Sequence, residues 1–127
     1  MKQHDMAQRA LIAVEQMKNE GELNGKFKTL CMKSPSVLIR SGLAQSITYL
    51  RSRNDTNNNN KYGDTYLEHL IDVLGRKNTS VAKFQDVVLE AKIGEYMALT
   101  HSVQDAMIWL RRFAQVEMAN VEEDSEG

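Results

Sequence analysis

Between Glu22 and Asp55 the chain carries no acidic residue, while Lys26, Lys28, Lys33, Arg40, Arg51 and Arg53 are all present. A helix surface that only has to stay soluble mixes its signs, commonly as i,i+4 pairs. A one-sign segment raises the local potential and points to an anionic partner. Lys26, Lys33 and Arg40 follow one another at intervals of seven, and Arg51 comes eleven residues later. On one continuous helix these steps place all four on a narrow stripe about 37 Å long, enough to follow several nucleotides of backbone. Snorkelling cations on a solvated face would give the same residue types. Phe27 and Tyr49 are the only aromatic residues in the segment, which is too few for a base-stacking platform. If nucleic acid binds here, it is held by its phosphates without base readout.

A second pair of cations, Arg111 and Arg112, follows Trp109 and Leu110 near the end of the last apolar-periodic segment. Ordinary surface charge accounts for the pair better than a ligand does, with Trp109 as a core anchor or a subunit contact. Catalytic chemistry has no visible home. His4, His69 and His101 are scattered without the HxxxH or HExxH spacing that puts two metal ligands on one helical turn. Cys31, the single cysteine, has no partner for a disulfide or a zinc knuckle. Its apolar context suits a buried inert thiol better than a nucleophile activated by His69 or His101. Glu68 and Asp72 form an i,i+4 carboxylate pair that suits a helix surface. Neither a phosphate-cradling glycine loop nor a nucleophile elbow is present. No catalytic residue, metal or cofactor is therefore expected.

The elements that carry these residues are helical throughout. Met6, Ala10, Leu11, Val14 and Met17 step by three and four, with Asp5 placed to cap the helix and Gly21 to end it. Asn24 to Arg53 has helical apolar spacing through Phe27, Leu30, Cys31, Leu38 and Ile47, with Pro35 predicting a kink or a new start at Ser34-Pro35. Residues 54–64, NDTNNNNKYGD, are turn formers without periodicity and predict a surface loop. A helix follows from about Thr65 to Leu74, stopped by Gly75. Another, capped by Thr79 or Ser80, runs through Val81, Phe84, Val87, Val88 and Ala91 to a break near Gly94. Tyr96, Leu99, Val103, Ala106 or Met107, Leu110 and Phe113 then mark a long C-terminal helix. No segment sustains the period-two alternation of a strand. The fold class is all-α: a compact bundle of about five to six helices.

A chain of 127 residues suits one domain with a core of its own. The formal net charge of -1 hides an uneven distribution, because Glu117, Glu122, Glu123, Asp124 and Glu126 lie in the last eleven residues, where no Lys or Arg occurs. Residues 1–116 thus read as a mildly basic helical domain, and residues 117–127 as an acidic tail expected to be disordered. No apolar run approaches the roughly 20 residues needed to cross a bilayer, and the polar start MKQHDMAQRA is no secretory signal. A cytoplasmic protein without a membrane partner is expected.

Two blocks, KSPSVLIRSGLAQSITYLRSR and EYMALTHSVQDAMIWLRRFAQ, resemble the small-subunit family of the Cmr complex, the type III-B CRISPR RNA-guided effector. In the first, Ser34-Pro35, Leu38-Ile39, Ser41-Gly42-Leu43, Gln45 and Tyr49-Leu50 follow the family pattern, with Ser41 where the family often has Asn. In the second, Glu95-Tyr96, Leu99-Thr100 and the run from Trp109 to Ala114 match. The resemblance implies a non-catalytic helical subunit, present in several copies, that stacks along the backbone filament beside other subunits. It implies that the subunit helps to hold single-stranded guide and target RNA, independently of sequence. By carry-over it favours Lys33, Arg40, Arg111 and Arg112 as RNA contacts; Lys26 and Arg51 rest on the stripe alone. A structural adaptor that binds only protein neighbours is the alternative.

Overall fold

A computed structural model describes residues 2–54 and 61–124. Five helices follow one another in this span: α1 (Lys2–Lys18), α2 (Asn24–Arg51), α3 (Tyr62–Val73), α4 (Val81–Glu90) and α5 (Ile93–Glu117). α2 and α5 form the long axis of the bundle. α1 closes against α5 and α3, and the short α4 packs against α2 and α3. The core is one apolar cluster to which all five helices contribute, from Ala10 and Val14 through Phe27, Leu30 and Ile47 to Tyr66, Phe84, Val103 and Leu110. Most apolar positions expected to point inward are buried, but Leu74, Ala91, Tyr96 and Phe113 are only partly so and Val87 is exposed. In α1, however, Ala13 is enclosed and Leu11 only partly so, which turns the stripe slightly.

Helix ends are set by specific bonds. α3 stops in a Schellman arrangement: Gly75 takes φ 83°, its N–H reaches Asp72 O, and Arg76 N–H reaches Ile71 O. α4 starts at Ser80, whose hydroxyl accepts from Lys83 N at 3.1 Å. The break expected near Gly94 falls earlier, at extended Ala91 and Lys92, and the Glu95 carboxylate accepts from Lys92 N at 3.0 Å as α5 begins. Gly94 lies inside the first turn of α5. α1 ends at Lys18 in a turn in which Glu20 N–H bonds Met17 O, so the stop does not use Gly21. Asp5 sits within the first turn of α1 rather than at its cap.

Three expectations need correction. α2 continues through Pro35 with helical backbone angles, since proline's fixed φ fits a helix and the loss is one N–H donor. The break comes at Gly42, with φ 80° and ψ 169°, a conformation open in practice to glycine alone. The segment 54–64 is not loop throughout. α3 begins at Tyr62, and Asn54 Oδ1 accepts from Asp64 N at 3.1 Å; residues 55–60 of this segment lie outside the described residues. The acidic tail is not free, because Met118 is fully buried and the chain to Asp124 lies against the start of α2; residues 125–127 lie outside the described residues.

Candidate nucleic-acid interface

α2 presents its core face through Phe27, Leu30, Cys31, Ser34 and Leu38, leaving Lys33, Ser36, Ile39 and Arg40 on the outside. Lys26, Lys33 and Arg40 precede Gly42, so they belong to one uninterrupted helical run and share a stripe about 21 Å long. Arg51 lies beyond the break and is held otherwise. Its Nη1 donates to Gln85 Oε1 at 2.6 Å, and its Nε stands 4.0 Å from Asp64 Oδ1. The continuous four-residue stripe is therefore a three-residue one.

The three remaining cations differ in setting. Lys26 is half-buried, with its ammonium 5.1 Å from the centroid of the Tyr62 ring on α3. Lys33 and Arg40 are exposed. Lys28 leaves the helix on its other flank, where Nζ donates to Val121 O at 2.9 Å. Arg53 lies over the Tyr49 ring at 5.1 Å. Other parts of the fold thus engage Lys28, Arg51 and Arg53, and within the stripe Lys26 leans on Tyr62 while Lys33 and Arg40 are exposed.

Arg111 and Arg112 lie on α5, half-buried and exposed respectively, beside Trp109 and Phe113, which stack at 5.6 Å and pack against the core. Lys26 leans toward α3 while Lys28 reaches the segment after α5. The two groups of cations thus lie on different helices, α2 and α5.

Possible reactive groups are placed unhelpfully for catalysis. Cys31 is fully enclosed, and burial pushes its thiol pKa far up. His69 has its ring edge against Phe27, 5.6 Å between centroids, while His101 is exposed on α5. Burial lowers the His69 pKa, and the nearby Asp72 charge opposes that only in part. Glu68 and Asp72 lie on the outer side of α3. Among the described residues no three His, Cys, Asp or Glu side chains converge as metal ligands would. No described helix is long and apolar enough to cross a membrane.

Fold and surface define a small helical bundle with an outward basic stripe, a class suited to binding within an assembly. The family model described as CRISPR-associated protein (Cas_Cmr5) matches residues 2–117, and the chain belongs to that family. A relative from Thermus thermophilus, the "CRISPR system Cmr subunit Cmr5", is 28% identical over 96 residues, which is 76% of this chain and 78% of the relative. The crystal structure of a CRISPR-associated Cmr5 family protein from Thermus thermophilus superposes with a TM-score of 0.80 at 26% identity. That match covers 91% of this chain and 95% of the other.

Two features of the interface escaped the sequence reading. The break at Gly42 had one signal, a glycine inside an otherwise helical pattern. The use of Arg51 by Gln85 and Asp64 had none, because those partners come from other helices.

Proposed function

We propose that this chain is a non-catalytic small subunit of a Cmr-type, RNA-guided effector complex, and that it helps to hold RNA there by phosphate contacts. The observation that carries the RNA part is the uninterrupted run Lys26, Lys33, Arg40 on the outer face of an acid-free helix segment. Cations two turns apart on a rigid helix, about 10.5 Å, meet phosphates along the backbone without reading bases, as a subunit that must accept any guide sequence requires. Arg111 and Arg112 form a separate contact region on α5, and Arg51 serves mainly to tie α2 to α3 and α4. Stacking beside further copies of itself and beside other subunits follows from the family reading.

The test is a salt titration of binding to single-stranded RNA. The three phosphate contacts of the α2 stripe contribute about -2 to the log-log slope, by the roughly 0.7 per contact that applies to single strands, and contacts at Arg111 and Arg112 add to it. Lys33→Ala with Arg40→Ala should flatten it by about 1.4, and Arg51→Ala should leave it nearly unchanged. An unaltered slope in the double variant would sink the stripe as the contact.

A second reading, an adaptor that binds only protein neighbours, draws on one observation. Leu89, Ile93 and Met97 are 63%, 82% and 58% exposed around the α4–α5 junction, more apolar surface than a solvated corner needs. On that reading Ile93→Asp and Met97→Asp would release the chain from its complex while the basic variants would not.

A further inference from the structure

The last described residues fold back over the first turns of α2, and the helix is shaped to receive them. Asp124 N donates to Gly25 O at 3.3 Å, Thr29 Oγ1 donates to Asp124 O at 2.8 Å, and Lys28 Nζ donates to Val121 O at 2.9 Å. Gly25 is buried beneath this segment. A Cβ at that position would stand 2.8 Å from the Asp124 carboxylate and 2.8 Å from Glu122 O, so a side chain larger than hydrogen would lift the segment away.

The seat lies at the basic stripe. Thr29, which binds the Asp124 carbonyl, is three residues after Lys26 and four before Lys33, the two steps that make neighbours on a helix surface. The bonds that anchor the segment involve its main-chain atoms, and the side chains of Glu122, Glu123 and Asp124 stay exposed. The first turn of α2 has no acid of its own to complement its dipole, and the returning segment brings three to that end of the helix.

We infer that residues 121–124 are an autoinhibitory strap: a short polyanion that sits in cis at the N-terminal end of the α2 stripe and competes with RNA phosphates for it. The inference rests on the proposed RNA contact through Lys26 and Lys33. Bound RNA would have to displace the strap or share the stripe with its charge, so the strap lowers affinity for RNA met outside an assembly.

The experiment compares binding of a single-stranded oligoribonucleotide to the wild type and to two variants at low salt. Glu122→Gln, Glu123→Gln and Asp124→Asn together keep the main-chain anchors and remove the charge. Gly25→Ala keeps the charge and unseats the strap. Both should bind about three- to tenfold more tightly than the wild type, with the gain fading at high salt as screening removes the repulsion. The charge variant lies wholly on exposed side chains, so it reads out even if Gly25→Ala folds poorly. A purely structural tail would change melting temperature and leave RNA affinity alone. Equal RNA binding by the wild type and the charge variant would overturn the strap while leaving the RNA-contact reading intact. Absence of RNA binding in all three proteins would overturn both.

Discussion

The hydroxyl of Tyr96, in the first turns of α5, accepts a hydrogen bond at 2.9 Å from the backbone N–H of Ala44, 52 residues earlier in α2. Gly42 opens the helix at φ 80°, which leaves the N–H groups of the next turn without partners in the preceding turn. Tyr96 thereby acts as an N-cap supplied from another helix, and it ties the break in α2 to the start of α5. The break ends the basic stripe after Arg40, so this one bond belongs to the geometry of the candidate interface.

Tyr96→Phe keeps the ring and removes the acceptor. It should destabilise the fold by about 1–2 kcal/mol, the usual cost of leaving a part-buried backbone N–H unsatisfied. Gly42→Ala has open space for its Cβ, whose nearest contact is Tyr96 Oη at 3.9 Å, but it must adopt a backbone conformation that costs about 1–3 kcal/mol. Denaturant melts of the two single variants and the double variant would check this. The double variant should lose less than the sum, because both changes act on one turn.

Gly63 lies where the first turn of α3 crosses the end of α2. A Cβ there would be driven into the carbonyl oxygen of Leu50, a backbone atom that cannot rotate aside. Gly63→Ala should therefore cost more than a surface helix substitution of the same kind, on the order of 2–4 kcal/mol, against a small gain in helix propensity. A melting temperature at or above that of the wild type would contradict the close approach.

His69 gives a pH dependence with a defined sign. Burial lowers its folded-state pKa, so the unfolded chain takes up a proton first as the pH falls through about 6.5. Stability from the neutral ring is complete above that value, declines below it, and levels off once the folded-state pKa is passed. Asp72, which lines the same surface cavity, favours the imidazolium and offsets part of that cost. His69→Gln should flatten the stability profile between about pH 6.5 and the onset of carboxylate titration, as measured by urea melts at a series of pH values.

The Cys31 thiol should be nearly inert in the native protein. It is fully buried and its pKa is far above the usual thiol range, so thiolate is scarce and access is blocked. Alkylation should be slow under native conditions and rise to the rate of an ordinary thiol in denaturant. Fast native alkylation would reopen the reading of Cys31 as a nucleophile.

Much of this protein was legible residue by residue. The three- and four-residue spacing of Phe27, Leu30, Tyr66, Leu70, Val103 and Leu110 specifies both helix and core face, because a helix must bury its apolar side whatever it packs against. Gly75 and Ser80 could be read as stop and cap for a similar reason: their bonds are local, within a few residues of chain. The acid-free run from Lys26 to Arg53 is likewise a property of the chain alone. What local spacing cannot carry is which cation is spent inside the fold. Arg51 is engaged because Gln85 and Asp64 arrive from α4 and α3, and Lys28 because Val121 returns after α5. Pro35 looked like the break because proline lacks a donor, yet its φ fits a helix, while Gly42 breaks because Tyr96 stands ready to take the N–H it frees. The acidic tail read as disordered, and Gly25 gives the backbone of residues up to Asp124 a seat that only packing could create. Sequence periodicity determined the helices and their buried faces; tertiary structure decided which cations are engaged by which other elements, since that depends on partners brought together from distant parts of the chain.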